Sequence, residues 1–325
     1  MDKDGGSSQA QESSFHRSLE RTAIDIRRMF DELLPRPANA EARLLEALRY
    51  AATSGGKRLR PFLLLESARL FDVPENYALR AATALECVHI YSLVHDDLPC
   101  MDDGALRHGK PSTHVKFGEA VAVLAGGALV SLAFEILADP RTHPDASIRC
   151  ELIERLSKAC GAQGMLGGQM IDLTAHAAHK ITRTDVSNDM QPSYSPTSRD
   201  LATVARLQRL KTGELIAFAC EAGAILGQAS SESRNLLHAY AHDVGLAFQI
   251  TDDLLDRRGD VERLGKETGK DEASDKLSFV SVLGVEKAET QAHILIDQAI
   301  RHLDGFGKEA EMLRHVARFV ISRQF

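Results

Sequence analysis

From Phe15 to the C-terminal residues, apolar side chains recur at intervals of three and four, and no convincing run of period-two alternation interrupts them. That periodicity constrains the fold more than any other feature. An apolar face repeating every ~3.6 residues suits helices packed on helices and does not sit flat in a sheet. Phe15, Leu19, Ala23, Ile26, Phe30 and Leu33 form the first such face. Pro35 and Pro37 interrupt it. Leu44, Leu45, Ala47, Leu48 and Ala51 then begin a second helix, which Ser54-Gly55-Gly56 ends. Arg60-Pro61 opens a third, proline being tolerated in a first turn. Further helices are predicted over about 78–97, 115–138, 146–160, 163–175, 199–227, 231–256 and 286–303, and near 308–322. The fold class is therefore all-α. It reads as one large helical domain over residues 15–325, preceded by a disordered polar tail over residues 1–14. A stretch near 177–199, rich in Ser, Thr, Pro, Asn and Asp, reads as a long loop.

The chain has 325 residues, 44% of them hydrophobic, and no linker near the middle divides it. A net charge of −7 argues against a general nucleic-acid binder. It leaves room for an anionic substrate held by local clusters. Cys87, Cys100, Cys150, Cys160 and Cys220 are odd in number and contain no CxxC, which fits reduced thiols. The polar N-terminal stretch has no apolar signal-peptide core, so a cytoplasmic location is expected. The longest apolar run, Ala120 to Phe134, is shorter than the ~18 residues of a membrane span and reads as a buried core helix.

Two acidic clusters carry the chemistry. Asp96, Asp97, Asp102 and Asp103 close an apolar helix that runs through Leu85, Val88, Tyr91, Leu93 and Val94, and Pro99 kinks or ends it. Carboxylates at a helix C-terminus oppose the macrodipole and repel one another, costs that a divalent cation offsets. Asp252, Asp253 and Asp256 follow a second apolar stretch, with Asp252 and Asp256 on one face. A lone acidic pair is usually a solvated surface. Two clusters, each behind an apolar helix, point instead to metal. Oxygen donors without His or Cys at ligand spacing favour Mg²⁺, which is typically held by one or two carboxylates together with substrate phosphates.

Cations flank both clusters. Gly55-Gly56 precede Lys57, Arg58 and Arg60, a combination suited to phosphate and equally compatible with an ordinary helix start. Arg107, His108 and Lys110 follow the first cluster, Lys211 and Thr212 lie in a later helix, and Lys266, Lys270 and Lys276 follow the second cluster. Lys270 reads as a surface lysine. His89, two turns before Asp96, is open to two readings, a satisfied core histidine or a contact to a second diphosphate. His95 reads as structural.

The motifs GGKRLRP, YSLVHDDLPCMDD, LRHGKP, GGQMIDL, KTG and FQITDDLLD stand in the order seen in trans-isoprenyl diphosphate synthases. From about Leu44 onward the chain resembles that family, most closely its bacterial farnesyl diphosphate synthases, with geranylgeranyl diphosphate synthases as near relatives. The resemblance implies an all-α bundle around a deep central cavity, a homodimer, and the substrates isopentenyl diphosphate and an allylic diphosphate. It implies about three Mg²⁺ per active site, with Asp96, Asp102 and Asp252 as principal ligands and Asp97 and Asp256 in support. Arg107, Lys211 and Lys266 would hold the allylic diphosphate, and Lys57, Arg60 and His89 the isopentenyl diphosphate. Gln169, Asp172, Thr212 and Gln249 match positions that line the reaction centre. Tyr91, five residues before Asp96, would form the cavity floor that stops the chain at the farnesyl length, unless it is only a core aromatic. Ser92 beside it is small enough to let a longer tail pass.

The sequence departs from the family pattern at His108 (usually Arg), Gly127 (usually Asp), Gly104 (usually acidic or amide) and Leu277-Ser278-Phe279 (usually Ala-Thr-Tyr). The competing readings are a geranylgeranyl diphosphate synthase, a class I terpene cyclase and a non-catalytic partner subunit. The DDLLD form of the second cluster and the GGKRLRP motif favour condensation over cyclisation. Retention of both acid clusters disfavours the non-catalytic subunit.

Overall fold

The computed structural model describes residues 4–181, 201–258 and 278–322. Helices account for almost all of them: α1 (Asp4–Leu33), α2 (Ala42–Thr53), α3 (Leu59–Arg69), α4 (Glu75–Asp96), α5 (Thr113–Phe117), α6 (Glu119–Ala138), α7 (Ala146–Cys160), α8 (Met165–Ile181), α9 (Leu201–Gln208), α10 (Glu214–Leu226), α11 (Ser231–Arg258), α12 (Phe279–Leu283), α13 (Val285–His302) and α14 (Glu311–Ser322). The one piece of sheet among the described residues is a two-residue ribbon, β1 (Leu106–Arg107) antiparallel to β2 (Lys110–Pro111). The all-α expectation therefore holds.

Three helices form the centre. In α3 every residue from Pro61 to Ala68 is buried, in α4 every residue from Ala78 to Val88, and α10 is buried almost throughout. Such helices are apolar on all sides because other helices cover them on all sides. Around them, α1 docks through Phe15, which meets Phe62 of α3 edge to face at 5.6 Å between ring centroids. The Tyr240 hydroxyl of α11 is fully buried and donates to the Leu313 carbonyl of α14 at 2.7 Å, so burying its ring leaves no unmet polar group.

Several boundaries differ from the sequence reading. Helical backbone begins at Asp4, inside the segment expected to be a tail. The predicted 115–138 helix is divided at Gly118 (φ +92°) into α5 and α6. The predicted 199–227 helix contains a π-helical turn, Arg209–Gly213, between α9 and α10. The first residues of the expected loop, 177–181, continue α8, and 182–200 lie outside the described residues. Helix α6 is 20 residues long and apolar enough, by length and composition, to cross a membrane, yet only 39% of its most apolar stretch is buried. It is therefore not the fully buried core helix expected. Val123 and Leu124 are exposed on it.

Candidate active site

Helix α4 organises the site through one stripe and its C-terminal end. Glu86, His89, Ile90, Leu93, Val94 and Asp97 recur at helical spacing and line one wall of a cavity of about 170 Å³. Opposite them stand the Ser54–Arg60 segment, the β1–β2 ribbon and Phe248 of α11. Gly55 and Gly56, at φ +115° and +99°, make the turn that brings Lys57, Arg58 and Arg60 to the cavity. Four Lys or Arg residues line it (Lys57, Arg58, Arg60, Arg107) against two carboxylates (Glu86, Asp97), so its walls are net positive.

The carboxylates are committed to particular cations. The Arg58 side chain is only 8% exposed, and its guanidinium pairs with Glu86 while also donating to the Ala52 carbonyl at 2.6 Å. Arg107 grips Asp97 with two hydrogen bonds. Burial works to lower the Arg107 pKa, but those bonds hold it above its ordinary value. Arg60 is different. Its Nη1 donates to His89 Nε2 at 3.2 Å, and its Nε is buried without a partner. Burial pushes the Arg60 guanidinium below its ordinary pKa, opposed by the fields of Glu86 and Asp252. Because a guanidinium can only donate, His89 Nε2 must accept, so the imidazole is neutral. Burial first, and then Arg60, Arg58 and Arg107, hold its pKa well below the usual range. His89 lines the cavity beside the Arg60 guanidinium.

A second group gathers near the end of α4. The Asp96 carboxyl is raised to about 6, chiefly by burial and further by Asp102 and Asp97, with Lys211 and Arg107 opposing. Lys211 rides on the π turn and its Nζ donates to Asp172 of α8 at 2.6 Å. One turn before Asp172 on α8, Gln169 is buried and its Nε2 has no hydrogen-bond partner. A π turn adds a residue to the helical circuit, and such turns concentrate at functional sites. Thr212 is buried beside Lys211. On α11, Gln249 and Asp252 lie three apart, within helical reach of each other, and Asp256 is buried. Asp253 instead accepts from the Phe279 backbone N–H at 2.7 Å and anchors the start of α12.

The donor set fits Mg²⁺. It is all oxygen, and Asp96 is destabilised as an anion by burial and by neighbouring carboxylates, a penalty that a divalent cation relieves. Among the described residues no three His, Cys, Asp or Glu converge on one point that could hold an ion. Mg²⁺ is commonly held by one or two carboxylates, with water and substrate phosphate completing its shell. Asp97 is the exception within the set, because both its oxygens engage Arg107.

The structure thus brings Lys57, Arg60, His89 and Arg107 to one cavity, places Asp102 and Lys211 within electrostatic reach of Asp96, and pairs Lys211 with Asp172. Lys266 lies outside the described residues. Tyr91 and Ser92 lie off the cavity stripe. Tyr91 meets His95 edge-on at 4.7 Å, and Ser92 Oγ donates to the His89 carbonyl at 2.8 Å. Two departures acquire reasons. A side chain at Gly104 would start 2.7 Å from Asp97 Oδ1, so glycine there spares the Asp97–Arg107 pair. The His108 ring lies over Gly55 and Gly56, its pKa lowered by burial and then by Arg107 and Arg58, so it supplies no fixed charge. Around Gly127 there is open space, and nothing in the structure explains why it is glycine. Sequence reading missed the Arg58–Glu86 pair. Its signal was a lone glutamate inside the apolar run of α4, which demands a buried cation.

A helical bundle with a net-positive cavity on one stripe of α4 and a carboxylate cluster at its end is an enzyme scaffold for phosphate-bearing substrates. The chain belongs to the polyprenyl synthetase family, whose model matches residues 41–317. It is 41% identical to the farnesyl diphosphate synthase of Escherichia coli K12 over 86% of this chain and 89% of that one. Among solved structures it resembles the apo FPP/GFPP synthase of Zymomonas mobilis (47% identity, TM-score 0.80, covering 95% of this chain and 99% of that one). It also resembles the Helicobacter pylori geranyltransferase complexed with magnesium and isoprenyl diphosphate (30% identity, TM-score 0.76, 95% of each chain).

Proposed function

We propose that this protein condenses isopentenyl diphosphate head-to-tail with dimethylallyl or geranyl diphosphate, releases pyrophosphate, and makes farnesyl diphosphate as its main product. The observation that carries this reading is the pairing of two complementary, unfinished sites. One is a cavity holding a buried guanidinium whose Nε lacks a partner. The other is a carboxylate cluster whose Asp96 is raised to about 6. One accepts a bare diphosphate, the other a diphosphate carried with metal. Arg60, His89 and Lys57 bind isopentenyl diphosphate. Arg107 and Lys211, held in place by Asp97 and Asp172, bind the allylic diphosphate.

Asp96, Asp102 and Asp252, with Asp256 behind them, hold Mg²⁺, and by resemblance there are three ions per site. Bound there, Mg²⁺ neutralises the charge that develops on the leaving pyrophosphate. Arg107 and Lys211 add two preorganised cations to the same task. The allylic C1–O bond breaks, and the double bond of isopentenyl diphosphate attacks the resulting cation. A proton then leaves to the departing pyrophosphate, so no protein base is required. The apolar residues Ile90, Leu93 and Val94 keep water out. The exposed face of α6, with Val123 and Leu124, suits burial against a second copy and favours a homodimer. The thiol and charge pattern favours the cytoplasm.

The test is product analysis of purified protein supplied with isopentenyl diphosphate, Mg²⁺ and, separately, dimethylallyl, geranyl or farnesyl diphosphate. A main C15 product supports the reading. A main C20 product keeps the chemistry and reassigns the protein as a geranylgeranyl diphosphate synthase. No condensation with any primer overturns the proposal.

A further inference from the structure

Tyr91 does not stand alone. Its ring meets the edge of the His95 imidazole, with centroids 4.7 Å apart and planes at 71°. His95 is fixed in turn against the neighbouring helix. Its Nε2 lies 3.3 Å from the Val123 carbonyl of α6, and since a carbonyl only accepts, Nε2 carries the proton and donates. The ring fits there because residue 126 of α6 is glycine. A Cβ built at Gly126 would fall within the imidazole, nearer to Nε2 and Cδ2 than real atoms approach. Gly126 is buried in mid-helix at negative φ, so no backbone conformation demands glycine at that position. Mid-helix glycine is unfavourable relative to alanine, and the space for the His95 ring is what it provides.

We propose that His95 and Gly126 are positioning residues for product length: the notch at Gly126 seats His95 against α6, and His95 buttresses the Tyr91 ring against displacement by the growing isoprenoid tail. The inference rests on the condensation reading above and on Tyr91 as the floor that the family resemblance implies, and extends both. A tyrosine ring without a buttress turns about its own side-chain torsions, and a floor that turns aside lets a further five-carbon unit enter. Ser92, the next residue, adds little bulk to block that path. An edge-to-face contact together with one hydrogen bond holds such a ring by a factor of about ten. Product ratio is therefore the sensitive readout, and overall turnover is not.

The experiment compares C20:C15 product ratios, with geranyl diphosphate as primer, for wild type, His95→Ala, Gly126→Ala, Tyr91→Ala and the His95→Ala/Tyr91→Ala double variant. His95→Ala is expected to raise the ratio several-fold to about tenfold, and Gly126→Ala to raise it in the same direction by expelling the ring. The double variant should match Tyr91→Ala alone, because His95 acts through Tyr91. Adding Gly126→Ala to His95→Ala should change nothing, the methyl then having room. His95→Asn keeps a donor for the Val123 carbonyl but loses the ring edge. It should shift the ratio as alanine does, and it serves where the alanine variant folds poorly by thermal melting. A wild-type ratio in an active His95→Ala, His95→Asn or Gly126→Ala protein overturns the inference, as does a double variant in which the two effects multiply. Either result leaves the reaction assignment standing, whereas a wild-type protein that forms no condensation product removes the assignment and this inference together.

Discussion

The two ends of the site differ in how their charges are balanced. On the cavity side, Arg58 and Arg107 each have a carboxylate in direct contact, and the buried polar atoms without a hydrogen-bond partner are one donor, Arg60 Nε, and one acceptor, Glu86 Oε2. On the carboxylate side the deficit is spread. Asp96 is crowded by Asp102 and Asp97, and the cations that relieve it, Lys211 and Arg107, are each shared with another carboxylate. A site with one unsatisfied donor is ready for a hydrogen-bonding anion. A site with surplus, distributed negative charge is ready for a metal. On the function proposed above, this difference is what would tell the two diphosphates apart.

Removing the distributed charge should have the largest effect. Asp96→Ala and Asp252→Ala, each assayed at saturating Mg²⁺, are expected to lower kcat/KM by ~10³-fold or more, the scale of lost electrostatic stabilisation of a developing charge. Near-normal turnover in either variant would take that residue out of the metal set. Arg60→Gln should act on the other side alone, raising KM for isopentenyl diphosphate by about 10- to 100-fold with a smaller change in KM for the allylic substrate. Equal effects on both Michaelis constants would erase the proposed division of labour.

The Arg58–Glu86 pair supplies a control inside the cavity, because it supports the wall and touches no substrate in this account. Arg58→Ala leaves a buried Glu86 uncompensated and should cost about 3–5 kcal/mol of stability, measured by chemical denaturation. Tyr91→Ala should alter product identity more than rate, and an unchanged C15 product would show that it is not the floor.

The smallest effect concerns pH. Asp96 has a folded pKa near 6, above its ordinary value of 3.8, so between these values the folded state holds a proton that the unfolded state has lost. Stability of the Mg²⁺-free protein from this group is therefore present at low pH and declines as pH rises through about 6. Mg²⁺ should raise the melting temperature more at pH 7.5 than at pH 5, and Asp96→Asn should flatten that difference. A Mg²⁺ shift independent of pH in the wild type would contradict it.

Much of this was legible in the sequence where the information is local. Helix α7 was read at both ends, because Asp145 caps it by accepting from the Ser147 backbone N–H and Gly161 follows its last residue. The two acid clusters and the Gly55-Gly56 turn were visible as motifs. What escaped depends on contacts between distant segments. Arg58 and Glu86 are 28 positions apart and meet only once α3 is packed on α4. The π turn that aims Lys211 has no composition of its own, so the run from 199 to 227 looked like one regular helix. Gly126 drew no attention in the sequence, where only its neighbour Gly127 stood out. In the structure the His95 imidazole lies against Gly126, whereas Gly127 faces open space.

The central claim is that both acid clusters act on a single allylic diphosphate through Mg²⁺. Calorimetric titration of geranyl diphosphate, with Mg²⁺ and with EDTA, tests it most directly on wild type, Asp96→Ala and Asp252→Ala. Binding should require Mg²⁺ in the wild type and be lost in both variants. Tight binding in EDTA, or binding retained by either variant, would contradict it.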